Sequence, residues 1–185
     1  MNRIVIVLMA AAFASCARAD SLTLTPTNGI VGGLPGTTVG WGFTLTDTSP
    51  TNWIVLNDSY FVGSPLYGSY TVYVSSQFYV VGPSSILPVS WNQALLAGTG
   101  EIDIFATDPV VVTAGTINVD YSVFSEDPNS PIFDPGSLVN SGTFSDPVQI
   151  LVTPEPATAI LLLGAALLVV LPRGRVRTAP SRSRL

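Results

Sequence analysis

The chain has 185 residues, 47% of them apolar and only 10% charged, with a formal net charge of −5; that is about one domain of length with far fewer charges than the usual quarter, not a typical cytosolic composition. All seven basic residues are arginines at the two ends, Arg3 and Arg18, then Arg173, Arg175, Arg177, Arg182 and Arg184, so the 134 residues from Asp20 to Thr153 hold no Lys, Arg or His. Those same residues hold eleven acids, a middle of −11 between a head of +2 and a tail of +4, and a surface of that sign repels nucleic acid and anionic lipid.

Residues 1–19 begin with Arg3, continue as an apolar stretch from Ile4 to Ala14 and end in the small-residue pattern Ala17, Arg18, Ala19. That order predicts a secretory signal peptide, handled by the secretion translocon and cut by signal peptidase at the Ala17/Ala19 site. A buried N-terminal helix is the plainer alternative, and the abrupt switch to Thr-alternating sequence after Ala19 speaks against it. Cys16, preceded by Phe13, Ala14 and Ser15, loosely resembles a lipoprotein box in which the cysteine would carry lipid. A cut after Ala19 instead leaves an exported chain with no cysteine, and therefore neither disulfides nor thiolate metal sites.

From residue 20 to 152 the pattern predicts an all-β ectodomain. The strand candidates in chain order are Ser21 to Thr27, Val39 to Leu45, Trp53 to Asn57, Tyr70 to Ser76, Phe78 to Val81, Val89 to Asn92, Ile102 to Ala106, Ile117 to Val123 and Val148 to Val152. Val39, Trp41, Phe43 and Leu45 alternate with Gly40, Gly42, Thr44 and Thr46, as a strand with one buried face requires. Prolines and glycines punctuate the gaps at sandwich spacing, and no amphipathic helix competes. The expected fold is an antiparallel β-sandwich, Ig-like or jelly-roll-like, with a barrel as the other alternative.

Without His, Lys or Cys, this stretch has no imidazole base, Schiff-base lysine or thiolate nucleophile, and phosphoryl transfer lacks its cationic clamp. Carboxylate chemistry survives. Glu101 and Asp103 fall two apart on one strand face, roughly 6 to 7 Å from each other, near glycosidase separations; an ordinary solvent-facing strand edge explains them as well. The run Glu126, Asp127, Pro128, Asn129, Ser130, Pro131, Ile132, Phe133, Asp134 is a proline-stiffened loop of hard oxygen ligands. It makes Glu126, Asp127, Asn129 and Asp134 a calcium candidate without EF-hand spacing, against solvated turn acids as the alternative. Trp53, Tyr60, Tyr67, Tyr70 and Trp91 are the rings available to stack on sugars, although most aromatics belong in a core.

The tail, residues 153–185, opens on the proline-bracketed break Pro154, Glu155, Pro156, which holds Thr153 and Glu155 extended. The apolar run Ala157 to Leu171 follows, about 22 Å long as a helix against a membrane core of roughly 30 Å. Its length alone fits a core helix equally well. Its place, last in the chain and followed by five arginines, predicts a transmembrane helix with the basic end cytoplasmic.

Pro-Glu-Pro, a Leu-rich span containing Gly164 and arginines to the end resemble the PEP-CTERM sorting signal of Gram-negative bacteria, over about the last thirty residues. The resemblance implies that Pro154, Glu155 and Pro156 are read by an exosortase and that Arg173, Arg175 and Arg177 form the basic stop. It also implies an inner-membrane anchor before processing, then delivery to the cell surface or extracellular matrix, in association with exopolysaccharide and biofilm. The expected function is thus a non-enzymatic, structural or adhesive surface protein. A carbohydrate-binding module is the alternative and a carboxylate-dependent glycoside hydrolase the third. No cofactor is expected unless calcium binds.

Overall fold

The computed structural model describes residues 20–63, 68–107, 109, 111–154 and 161. The chain divides into two compact units, Met1–Thr153 and Pro154–Leu185; of the second, only Pro154 and Leu161 are described. The described residues of the first form ten strands: β1 (Ser21–Thr25), β2 (Ile30–Gly33), β3 (Thr38–Thr46), β4 (Trp53–Gly63), β5 (Gly68–Val72), β6 (Val80–Val81), β7 (Ile86–Val89), β8 (Gly100–Ile104), β9 (Val112–Phe124) and β10 (Leu138–Val152). The helical turns among them are three short 3-10 turns, at Val74–Ser76, Gln93–Leu95 and Pro135–Ser137.

Two five-stranded sheets result. One has the order β1-β3-β8-β5, with β7 also on β3; the other runs β2-β10-β9-β4-β6. Along one edge β3 pairs with β8 over Thr38 to Trp41 and with β7 over Phe43 to Thr46, so two short strands share one long one. The apolar rows of both sheets meet in one core: Leu22, Leu24, Val39, Trp41, Phe43, Leu45, Ile102 and Ile104 from the first, and Ile54, Leu56, Val81, Ile117, Val119, Val123, Val148, Ile150 and Val152 from the second. This is the layered packing of two sheets, and each buried aliphatic or aromatic side chain contributes about 1.5–3 kcal/mol. Polar ties cross the core. Trp41 Nε1 donates to the Gly29 carbonyl at 2.9 Å, and the Ser59 hydroxyl donates to the Thr99 carbonyl at 2.5 Å.

The pairing departs from the expected all-antiparallel pattern, because β2 runs parallel to β10 over Ile30–Gly33. Two residues far apart in sequence can pair in either sense, whereas a hairpin cannot. No strand was expected at β2, whose Ile-Val-Gly-Gly does not alternate. β10 begins ten residues before the expected Val148, since its first part is polar and half solvent-facing. The expected strand Val89 to Asn92 instead lies earlier, as β7; Asn92 caps the following turn, its Oδ1 accepting from Leu95 N at 3.2 Å. The strand expected at Tyr70 to Ser76 stops at Val72, and Val74–Ser76 is a 3-10 turn.

Candidate functional site

The functional candidates divide between the outward faces of the two sheets. On the first sheet, β8 places Glu101 opposite Gly40 and Thr71, and Asp103 opposite Thr38 and Ser69. The two carboxylates therefore share a face, as their spacing requires. That face is not a solvent-facing edge, because β8 lies between β3 and β5 and Glu101 is only 6% exposed. The cover comes from the chain leaving β7, which crosses over β3. A Cβ at Gly42 would meet the Val89 carbonyl oxygen and lie 2.8 Å from Trp91 N, and one at Gly40 would meet Trp91 Nε1. Only glycines admit backbone and indole this close.

Beneath this cover the Glu101 Oε2, the Tyr73 hydroxyl and Trp91 Nε1 are buried and have no hydrogen-bond partner. Burial, and after it the neighbouring Glu101 carboxyl, push the Tyr73 phenol well above its ordinary value. Asp103 is engaged differently: its Oδ1 accepts from the Thr38 hydroxyl at 2.5 Å. An acceptor and two donors thus share the outward side of one sheet. Two carboxylates projecting side by side from one strand do not face each other across a substrate, which is the arrangement glycosidases use.

The loop of the calcium candidate connects β9 to β10, and its oxygens cap turns. Asp127 Oδ1 accepts from Asn129 N at 2.8 Å and Asn129 Nδ2 at 3.2 Å, Asp134 Oδ1 accepts from Gly136 N at 2.8 Å, and Glu126 Oε2 accepts from Asp134 N at 3.3 Å. Among the described residues no three acids are grouped to hold a metal.

On the second sheet the outward face is polar, with its β4 and β10 members exposed and its β9 members half-buried. Tyr60, Asn118 and Ser145 stand in one row across β4, β9 and β10, and Asp58, Asp120 and Thr143 in the next. Cross-strand bonds order these rows: Ser145 Oγ donates to Asn118 Oδ1 at 2.7 Å, Thr143 Oγ1 to Asp120 Oδ1 at 2.6 Å, and Asn57 Nδ2 to Ser122 Oγ at 2.9 Å. Tyr60 is 42% exposed. A ring beside pre-ordered hydroxyl and amide groups can contact a neutral polyol by stacking and hydrogen bonding together.

Of the other rings singled out from sequence, Trp53, Tyr70 and Trp91 are half-buried. The Tyr70 hydroxyl lies 3.0 Å from Ser59 Oγ and 3.2 Å from the Thr99 carbonyl, and burial pushes it up to about 12. Tyr67 lies outside the described residues, as do Cys16, Ala17, Ala19, Glu155, Pro156, Arg173, Arg175 and Arg177. Among the described residues no helix is long and apolar enough to cross a membrane; the expected span is outside them except for Leu161. The row of Tyr60, Asn118 and Ser145 had no signal in sequence, because its members come from three separated strands whose register only the fold sets.

No protein-family model matches the chain, and no curated protein matches it. Among solved structures, WR4, a member of the MSP family of C. elegans, aligns over 73% of this chain and 100% of its own with 9% identity and a TM-score of 0.33, a likeness too loose to carry an argument.

Proposed function

We propose that this is an exported surface or extracellular-matrix protein without catalytic activity, cut by signal peptidase after Ala19 and sorted through its tail by an exosortase. Its role is structural or adhesive, in exopolysaccharide or biofilm. The observation that carries the reading is the succession along the sequence of Pro154-Glu155-Pro156, an apolar run, and Arg173, Arg175 and Arg177. Its motif begins directly after a β unit whose last bonds run from Thr153 N and Oγ1 to the Gly33 carbonyl, at 2.9 and 3.2 Å. Pro154, the first residue of the motif, thus follows the last ladder bond of the β unit. We read the two-sheet unit itself as an Ig-like or jelly-roll-like sandwich, supported by the non-consecutive strand order in both sheets.

Replacement of Glu155 by Ala tests the sorting. Cells are fractionated and the protein's mass measured. The native chain loses its C-terminal segment, while Glu155→Ala accumulates at full tail length in the membrane; identical tails on both refute the reading.

The second reading, carbohydrate binding, is favoured by the Tyr60, Asn118 and Ser145 row. It makes the open face of the second sheet the contact for a neutral polysaccharide, which a domain of −11 charge does not repel.

A further inference from the structure

Asp47, one residue past the end of β3, is 2% exposed, the most deeply buried acid among the described residues. Its Oδ1 accepts from Ser49 N at 2.7 Å, and its Oδ2 is buried with no partner. The β1–β3 register ends with Ser21 paired to Thr46, the residues next to Asp20 and Asp47 in the chain. Asp20 Oδ1 accepts from Thr48 N and Thr48 Oγ1 at 3.0 and 3.1 Å. The Asp20 carboxylate thus sits on the residue next to Asp47, and two like charges lie close together. Burial, opposed by the Ser49 amide and reinforced by the Asp20 charge, pushes Asp47 up to about 6. Ser85, whose carbonyl accepts from Asp47 N, belongs to a segment with no titratable side chain.

A buried carboxylate oxygen beside a second acid calls for a cation, yet Asp20 to Thr153 contain no Lys, Arg or His. One cation can arise at that point. We propose that Asp20 and Asp47 form a cation site completed by maturation: hydrolysis of the Ala19–Asp20 peptide bond frees the α-ammonium of Asp20, which pairs with Asp47 Oδ2. Water adds across the bond, leaving a carboxylate on Ala19 and the ammonium on Asp20; before the cut that nitrogen is an uncharged amide. Removal of the signal segment then stabilises the exported fold. This inference rests on the export reading, specifically on cleavage after Ala19.

The pH dependence follows. Without the ammonium, folded Asp47 holds its proton to a higher pH than unfolded Asp, so stability falls as pH rises from about 4 to about 6. With it, the ammonium gains a partner and titrates above its ordinary range of about 8, so its contribution is present at neutral pH and lost as pH rises through the folded value.

The sequence contains no Lys, so the α-amine is the sole primary amine of the processed chain, and N-hydroxysuccinimidyl acetate acylates it alone. The test uses the exported, processed chain, with its first residue read by mass spectrometry. At pH 7.5 the native amine reacts about tenfold more slowly than that of Asp47→Asn, the equivalent of one pKa unit. Acylation lowers the native Tm by about 3 °C and leaves that of Asp47→Asn unchanged. Asp47→Asn itself lowers the Tm of the free-amine chain and raises that of the acylated one. A first residue other than Asp20 overturns the cleavage and the pairing together; Asp20 with a freely reacting amine and no acylation effect overturns the pairing alone. A saturable rise in Tm with calcium, equal in free and acylated chains and abolished by Asp47→Asn, assigns the site to a divalent cation and overturns the ammonium.

Discussion

On β3 the outward positions are Thr38, Gly40, Gly42 and Thr44, and on β9 they are Thr116, Asn118, Asp120 and Ser122. Each row alternates with a buried one, Val39, Trp41, Phe43 and Leu45 in the first strand and Ile117, Val119 and Val123 in the second. The first outward row is roofed by residues 89–91, while the second lies open with Tyr60 beside it. The difference is the glycine pair. Two missing side chains leave a trough deep enough for another stretch of backbone, whereas a continuous row of Asn, Asp and Ser bonds to its neighbours and keeps the chain off. Covering the trough adds apolar contact through Trp91 but strands three polar atoms, Glu101 Oε2, Tyr73 Oη and Trp91 Nε1. The open face strands none of its named partners and keeps its polar groups for the outside.

The strongest way to break this contrast is to fill the trough. Gly42→Ala puts a methyl against the Val89 carbonyl and 3.1 Å from Ser90 Cα, all backbone that cannot rotate away. We expect a loss of about 3 kcal/mol in urea unfolding. A loss below about 0.5 kcal/mol would show that the roof lifts freely.

A smaller effect sharpens the polar consequence of the cover. Tyr73→Phe removes a buried hydroxyl that has no partner, so it should leave stability unchanged or raise it by about 1 kcal/mol. Destabilisation by Tyr73→Phe, reversed when Glu101→Gln is added, would mean that the hydroxyl and the Glu101 carboxyl are bridged.

The least effect on stability belongs to the open face. Tyr60→Ala and Ser145→Ala should each shift unfolding by no more than about 0.5 kcal/mol. If this face contacts polysaccharide, both variants also lose retention on a column of the neutral polymer while Thr23→Ala, on the other sheet, keeps it. Equal retention for all three removes the carbohydrate reading without touching the sorting one.

Much of the secondary structure was legible because alternation is a local property. Every apolar residue expected on the inward face of β3 is buried, and so are Ile102, Ile104, Ile117, Val119 and Val123. What was illegible had no period to read. β2 is four residues with two glycines, and the first ten residues of β10 gain their strand conformation from the ladder with β9, where Asn140 to Pro147 pair with Val123 to Thr116. Glu101 shows the same limit from the other side: alternation assigns it correctly to the outward face, but outward does not mean wet when another segment crosses over.

The sequence by itself determined the all-β class, the absence of cationic and thiolate chemistry between Asp20 and Thr153, and the tail pattern from which sorting is proposed, since each is a matter of composition, period or order along the chain. The tertiary structure alone decided that β2 runs parallel to β10, that Trp91 roofs Gly40, that Tyr60 aligns with Asn118 and Ser145, and that Asp20 lies close to Asp47. Those relations join residues tens of positions apart, and register and close approach depend on how whole strands stack and on where a missing side chain lets backbone in.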